Sequence, residues 1–320
     1  MTNKRIFITG GAGFLGTNII RRYHNDNEIT IYSRDEAKHY YLKKMYPKIN
    51  CVIGDVKDYH RLKKASKNHD IGIFAASLKQ IEAVDQNVEV GIETIINGAV
   101  TSRRVAEENN FEAACFISSD KSRAATTLYG AMKFVGGELF IVNSETTTTR
   151  LSTAVYGNVL NSTGSIIPLI WNAINNNYEL TLYSTDMTRF MIDADEAVDL
   201  IEYGLSLDGF NIIPNLKSFR VKDLFELYKE NFGLKYKIGK PRISEKLHEM
   251  MFSHEESPRI KNLGDKFIMH YKQVYNDNLP FTEFTSDKVT VSKSDLNSML
   301  EKYKFFNPGS NQWGTSYTQI

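Results

Sequence analysis

Three features of the sequence predict an α/β fold: a Rossmann-type, doubly wound parallel sheet with a smaller region interleaved into it. Apolar, strand-like runs alternate with helix-length segments through the first half of the chain. The first run ends in a turn with evenly spaced glycines, TGGAGFLG, that opens a helix. Beyond about residue 156 the alternation gives way to Gly-, Pro- and Asn-rich turns such as GNVLNSTGS and NNN. Continuous apolar strands connected by helices mean a parallel sheet covered on both faces. The expected division is a sheet domain over residues 1–155 and a second region over residues 156–320, interleaved with the first rather than tethered to it.

The elements follow in pairs: RIFITG then GFLGTNIIRRYH, EITIYS then RDEAKHYYLKKMY, NCVIGD then DYHRLKKASKN. IGIFAAS comes next, then one long helix, VEVGIETIINGAVTSRRVAEEN, then ACFISS and a helix that contains Tyr129. In the long helix Val88, Ile92, Ile95, Ile96, Ala99 and Val100 fall at i, i+3/i+4 spacing and predict one buried face. The Thr-rich stretch TTTTRLSTAVYGNV reads as a sixth strand, because Thr is β-branched and the run continues into Leu, Val and Tyr.

The 320 residues suit one large α/β unit or two closely joined domains. Hydrophobic residues make up 42% and charged residues 24%, the balance of a soluble globular chain. A formal net charge of +1 offers no global attraction to nucleic acid or membrane, so an anionic ligand must be met by local cations. No apolar run is long enough to span a bilayer. The N-terminal MTNKRIFITGGAGFLG has the cations of a signal peptide, but Gly10-Gly11 breaks its apolar run and it reads as the first strand. Cys51 and Cys115 lie in separate strand-like runs, which predicts two buried, reduced thiols and a cytoplasmic protein.

Gly10, Gly13 and Gly16 stand at G-x-x-G-x-x-G spacing between the first strand and the first helix. Glycine is required where such a turn takes positive φ and where backbone meets a pyrophosphate, and the helix N-terminus offers N–H groups to the phosphates. A bound dinucleotide is the expectation, with a tight packing turn as the alternative. At the tip of the second strand, where an NAD site carries an acid for the ribose 2′-hydroxyl, stand Ser33 and Arg34. Arg34 suits the 2′-phosphate of NADP, although it also reads as a solvated cation. Asp35 after it reads as helix N-terminal charge.

The stretch SSDKSRAATTLYGAMK carries the chemistry. Tyr129 and Lys133 are one helical turn apart and share a face, so an ammonium beside the phenol lowers its pKa from about 10 and lets it take a hydroxyl proton. Ser118 and Ser119 precede them at a strand end, placed to orient a substrate alcohol. Hydride chemistry needs no more than this, yet Asp120 and Lys121 stand just upstream. A hydroxyl oxidised to a ketone acidifies the neighbouring C–H, and a base on that C–H with an acid on the next hydroxyl expels water. The pair points to a sugar nucleotide 4,6-dehydratase, with Asp120 protonated and Lys121 neutral; a surface ion pair is the alternative. Lys121 neutral near pH 7.5 requires a shift of roughly three units, about 4 kcal/mol, which burial and Lys133 favour and an ionised Asp120 opposes.

Seven blocks in order, YSRDE, GDVKDYHRL, AASLKQ, SSDKSRAATTLYGAMK, YGNVLNSTGSIIPL, DMTRFMI and EKLHEMM, make the chain resemble a known family. It is the soluble inverting UDP-N-acetylglucosamine 4,6-dehydratases of the pseudaminic acid pathway, within the extended short-chain dehydrogenase/reductase superfamily. The resemblance implies NADP, held by Gly10, Gly13, Phe14, Leu15, Gly16, Ser33, Arg34, Asp55, Val56, Ala75, Lys79 and Asn97 together with Tyr129 and Lys133. It implies oxidation at C4 through Tyr129 and Lys133, removal of the C5 proton by Lys121, and protonation of the departing C6 hydroxyl by Asp120. Lys79, Ser119, Asn158, Arg189 and Arg242 are implied on the side of a UDP-sugar substrate, and a homo-oligomer, often a hexamer, as the assembly.

Tyr129 stands where large membrane dehydratases and some capsule enzymes have Met, which favours the inverting branch. The family's Thr-Asp-Lys-Ala is Ser119-Asp120-Lys121-Ser122 here, and its Asn-Pro is replaced by Ala124-Ala125-Thr126. Its Arg-Pro-Gly-Glu-Lys is Arg242-Ile243-Ser244-Glu245-Lys246. These departures bear on substrate identity more than on reaction type. The rival readings are a 4-epimerase or reductase that uses Tyr129 and Lys133 alone, and a non-catalytic NADP-binding regulator. No metal site is expected, since His248 and His254 lack the i, i+4 spacing of a helical zinc pair. Asp193, Asp195 and Glu196 read as a helix N-terminus, and FFNPGSNQWGTSYTQI is assigned no function.

Overall fold

The structure is a computed structural model that describes residues 1–241 and 244–307. The first half of the chain lays down β1 (Arg5–Thr9), α1 (Phe14–Tyr23), β2 (Glu28–Ser33), α2 (Glu36–Met45), β3 (Asn50–Ile53), α3 (Tyr59–Ala65) and β4 (Ile71–Phe74). Then come α4 (Ile81–Gln86), α5 (Val88–Gly91), a π-helical segment (Ile92–Asn97), α6 (Gly98–Glu108), β5 (Ala113–Ile117), α7 (Leu128–Ile141) and β6 (Arg150–Ala154). The second half adds β7 (Asn158–Val159), α8 (Ile166–Asn175), β8 (Leu180–Leu182), β9 (Thr188–Ile192), α9 (Ala194–Gly204), β10 (Phe210–Pro214), β11 (Ser218–Arg220) and α10 (Val221–Phe232). It continues through β12 (Tyr236–Ile238), β13 (Met250–Phe252), β14 (Ile260–Asn262), β15 (Lys266–His270), β16 (Phe284–Thr285) and α11 (Lys293–Lys302).

A nine-stranded sheet in the order β3-β2-β1-β4-β5-β6-β10-β15-β14 forms the centre. Its first seven strands are parallel, and β15 and β14 close one edge antiparallel. This is the doubly wound α/β sheet read from the sequence. Register explains why both faces are buried. Ile8 aligns with Ile31 and Ile73, and these residues pack with Ile19 and Ile20 of α1 and Val198 and Ile201 of α9. The alternate residues Phe7, Tyr32, Phe74 and Phe116 face the other way, onto Leu62 of α3, Val105 of α6 and Phe140 of α7. Full burial of each such side chain contributes roughly 1.5–3 kcal/mol. After residue 155 the chain therefore returns to this sheet through α9, β10, β14 and β15, while α8, α10 and α11 build a separate small core around Ile170, Trp171, Phe219 and Tyr228.

Two expectations are corrected. The sixth strand begins only at Arg150 and ends at Ala154. The threonines before it bond to their own turn instead: the Thr146 hydroxyl donates to the Asn143 carbonyl, and Thr147 Oγ1 accepts from the Thr149 amide. The long helix is not one regular helix either. Its π-helical segment shifts the phase of the apolar stripe, so Ile95 and Ala99 are buried while Ile92 and Val100 are exposed. Asp35 caps α2, and Asp193 with Glu196 forms a capping box on α9, as their positions predict. Both cysteines are free; Cys115 is buried and Cys51 only half-buried.

The loop from β5 to α7 carries the tightest joint near the sheet's carboxyl edge. A Cβ on Gly130 would lie 2.2 Å from the Lys121 carbonyl oxygen, so the start of α7 sits directly on the turn that follows β5. Exposed Ala124, in the same loop, holds φ +44°, where a side chain is strained. Gly130→Ala is expected to lower stability by roughly 1–3 kcal/mol. Ala124→Gly is expected to raise it by about 1 kcal/mol, and urea unfolding midpoints read both.

Candidate active site

The carboxyl ends of β1, β2, β4 and β5 gather the residues that the sequence singles out. Gly10 follows β1 with φ +67°, and its missing side chain leaves room for backbone: a Cβ there would lie 2.9 Å from the Ala76 nitrogen. The Gly13 amide donates to the Gly10 carbonyl at 2.8 Å, and no side chain caps the N-terminus of α1. Phe14 and Leu15 open that helix half-buried, and Gly16 is buried against β1's turn. The result is a shallow cradle of backbone under an uncapped helix end, which fits the pyrophosphate of a dinucleotide.

Around the cradle, Ser33 donates to or accepts from His39 Nε2 at 2.7 Å, and exposed Arg34 stands 3.7 Å from Asp55. Asp35 is spent on α2: its carboxylate accepts from the Lys38 amide at 3.0 Å and pairs with the Lys38 ammonium at 2.8 Å. Val56 is buried, the Ala75 amide donates to the Thr9 carbonyl, and exposed Asn97 ends the π-helical segment with its amide on Glu93. The Lys79 ammonium donates to the Thr163 carbonyl. Arg242 lies outside the described residues.

Two of the residues expected to be catalytic, Asp120 and Lys121, sit on a short 3-10 turn, Asp120–Ser122, between β5 and α7, and the other two, Tyr129 and Lys133, are on α7. Serines lock the turn: Ser119 Oγ accepts from the Lys121 amide at 3.3 Å and donates to Asp120 Oδ1 at 2.9 Å, and the Ser122 hydroxyl donates to the Ser119 carbonyl at 2.5 Å. Asp120 is fully buried and its Oδ2 has no hydrogen-bond partner. Burial pushes its carboxyl above the usual range, Glu249 adds to this, and Lys121 only partly opposes it. Asp120 is thereby suited to hold a proton.

Lys121 departs from expectation. Its ammonium lies 3.2 Å from Asp120 Oδ1, 3.2 Å from Glu249 Oε1 and 3.3 Å from Asn158 Oδ1. Burial works against the charge, but Asp120 and Glu249 prevail and hold its pKa above the ordinary lysine value. The sequence reading has Lys133 pushing Lys121 toward neutrality. Instead Lys133 points away, donating to the Ile117 carbonyl at 2.8 Å over the Phe116 ring. Burial brings Lys133 down to about 7. It also pushes the Tyr129 phenol up to about 12, with Lys121 the cation that pulls it back.

Arg189 is 8% exposed, and its guanidinium is engaged by the Thr188 carbonyl at 2.7 Å, Glu245 at 3.3 Å and Glu249 at 3.6 Å. Ser119, Asn158, Asp120, Lys121 and Tyr129 thus converge, while Arg189 joins them through Glu249. Sequence reasoning missed Glu249, and with it Lys246, whose ammonium donates to the Arg123 carbonyl. Both fall in the EKLHEMM block, and the one local signal was a carboxylate abutting the apolar MMF run.

The polysaccharide biosynthesis protein family matches residues 6–271. The chain belongs to that family. The inverting UDP-N-acetylglucosamine 4,6-dehydratase of Campylobacter jejuni is 34% identical to it over 265 residues, covering 79% of each chain. A UDP-glucose 4-epimerase of Rickettsia bellii is 32% identical over 83% of this chain and 82% of that protein. The X-ray structure of Pen from Bacillus thuringiensis superposes with a TM-score of 0.88 at 25% identity, covering 95% of this chain and 99% of that one. The resemblance carried by the seven sequence blocks is borne out. Among the described residues of this family member, no His, Cys, Asp or Glu group is arranged to hold a metal, and no helix is long and apolar enough to cross a membrane.

The state of Lys133 can be read from stability. Its pKa falls from 10.5 unfolded to about 7 in the buried site. Between those values the unfolded chain binds more protons, so stability rises with pH and falls as pH drops toward 7. Relative to Lys133→Met, the cofactor-free wild type is expected to gain roughly 2 kcal/mol between pH 7 and pH 9. Urea unfolding of both proteins measures it, and a difference independent of pH contradicts it.

Proposed function

We propose that the protein is an NADP-dependent lyase, a UDP-N-acetylglucosamine 4,6-dehydratase that inverts C5 and yields a 4-keto-6-deoxy sugar nucleotide. The observation that carries this reading is the buried Asp120 carboxyl within 3.2 Å of Lys121, beside Tyr129. A site that only moves hydride has no use for a proton donor and a second amine there. The C. jejuni relative, 34% identical, supports the same reading.

Tyr129 takes the proton of the C4 hydroxyl, oriented by Ser119. Lys121, from the turn below, takes the C5 proton once it is neutral, and Asp120 protonates the departing C6 hydroxyl. Return of the proton from the opposite face inverts C5. A bound nicotinamide cofactor would supply the hydride acceptor for C4 and the hydride donor for C6, with no net redox change. The Gly10–Gly16 cradle with Phe14 and Leu15, Val56, Ala75, Asn97 and Lys133 would hold it. NADP is favoured over NAD because Asp35, the acid nearest the tip of β2 in sequence, is committed to capping α2, while the exposed Arg34 guanidinium suits a 2′-phosphate.

Lys79, Asn158 and Arg242 serve the sugar nucleotide in this reading, and Arg189 acts from behind. A second copy of the chain covers the exposed apolar side chains Phe134, Val135 and Leu139 of α7 with Val100 of α6, in a homo-oligomer of up to six chains by family resemblance. The two free thiols support a cytoplasmic location in this reading. A second reading, a 4-epimerase, is favoured by the 32% identical Rickettsia relative and uses Tyr129 and Lys133 only.

Incubation with UDP-N-acetylglucosamine, followed by mass spectrometry, separates the readings. Loss of one water is expected, with Tyr129→Phe and Lys121→Ala each lowering the rate by about 10²–10⁴. Epimerisation that survives Lys121→Ala contradicts the dehydratase reading. Arg34→Ala is expected to weaken NADPH binding by about tenfold or more and leave NADH binding unchanged, since it removes one charge-assisted contact to phosphate.

A further inference from the structure

The ammonium of Lys121 has its hydrogens directed at three acceptors, Asp120 Oδ1, Glu249 Oε1 and Asn158 Oδ1. An amine has two hydrogens and a lone pair, so a base at this position requires one acceptor to take a proton. The Asn158 amide oxygen cannot hold one at neutral pH. Asp120 is the acid of the reaction and keeps its own. Glu249 remains. It is 3% exposed, stands at the head of β13 against the Asp120–Ser122 turn, and its Oε2 is buried without a hydrogen-bond partner. A carboxylate so incompletely solvated loses little when it is neutralised.

We propose that Glu249 is a positioning residue that discharges Lys121, taking a proton from its ammonium and returning it after turnover. The inference rests on the dehydratase reading. As the Glu249 Oε1–H bond forms, a Lys121 N–H bond breaks and both charges vanish. The Lys121 lone pair then takes the C5 proton while Asp120 gives its proton to the departing hydroxyl. Lys121 next passes a proton to Asp120, and Glu249 passes its own to Lys121; C5 takes a proton from solvent on its opposite face as hydride returns to C6, and Tyr129 releases the C4 hydroxyl proton to solvent, so every group ends as it began.

The groups that face Glu249 are Lys121 and Asp120 from the turn, Arg189 from β9 and Lys246 from its own segment, with Tyr129 beyond Lys121. Burial raises the Glu249 carboxyl, but Lys121 and Arg189 outweigh it and keep the resting group ionised. Arg189, 3.6 Å from Glu249 Oε1, holds that oxygen toward Lys121.

The test is the pH profile of Glu249→Gln in the cofactor-loaded protein. Between pH 7 and 9 the wild type is expected to show only the slope that other groups give it, Tyr129 among them, because the proton leaves Lys121 inside the site. In Glu249→Gln the rate falls by about 10²–10⁴ at pH 7 and climbs more steeply with pH than the wild type, since Lys121 must lose its proton to solvent. KM and cofactor affinity stay unchanged. Glu249→Asp keeps a carboxylate and restores the wild-type profile; if the Gln variant does not fold, a profile in the Asp variant steeper than the wild type's overturns the proposal. Near-wild-type activity with the wild-type profile in Glu249→Gln overturns it as well. Lysine 15N NMR without substrate separates the two levels of the account. If Glu249→Gln lowers the Lys121 titration midpoint but the wild type dehydrates no sugar nucleotide, the pairing stands and the dehydratase reading fails. An unchanged midpoint overturns the proposal whatever the wild type turns over.

Discussion

A lysine ammonium held between two buried carboxylates is the constraint on which this site depends. Removing such groups from water costs several kcal/mol per ion, and attraction recovers it only where the geometry is good and the remaining polar atoms are satisfied. Here satisfaction is incomplete. Asp120 Oδ2, Glu249 Oε2 and Glu245 Oε2 are all buried without partners. An apolar cluster of the same volume would be the more stable choice, so the arrangement makes sense as a proton-handling device rather than as a structural ion pair. Burial and Glu249 raise the Asp120 carboxyl, while Lys121 and Arg189 hold Glu249 ionised at rest.

The scaffold exists to bring these groups together from distant parts of the chain. Parallel β5 and β6 end side by side, and the Asp120 amide donates to the Tyr156 carbonyl at 3.1 Å, which fixes the turn above the sheet. Asn158 follows on β7, which pairs with β9, and β9 carries Arg189. Ser286 ties the Glu249 segment to this group: its hydroxyl accepts from the Glu249 amide at 2.9 Å and lies 2.6 Å from that of Thr188. Asn158, Arg189 and Glu249 thus sit on or beside short strands rather than on free loops, which suits groups held at fixed spacing.

Much of this was legible. Strand–helix alternation, buried apolar strands and the Gly10–Gly16 turn were enough for the sheet and its carboxyl-edge site, because both depend on periodicity and backbone geometry. Asp120, Lys121, Tyr129 and Lys133 were legible because they are close in sequence. The charge states were not, since they depend on what the fold places beside each group. Lys133 faces a carbonyl and a phenyl ring, whereas Lys121 faces Glu249, a residue far along the chain that no spacing rule links to it. The π-helical segment was missed because residues Ile92–Asn97 have an ordinary helical pattern, and its phase shift arises in packing. The early start given to β6 came from reading threonines by propensity when their hydroxyls bond to the local turn.

The central claim is that this buried cluster moves a proton at C5 while the sugar is transiently oxidised. Its most direct test is to run the reaction with UDP-N-acetylglucosamine in D2O, without added cofactor, and read the product by NMR. The account predicts a 4-keto-6-deoxy sugar with deuterium at C5 and inverted configuration there. A product that retains protium at C5, or one altered at C4 with its C6 hydroxyl intact, would contradict it.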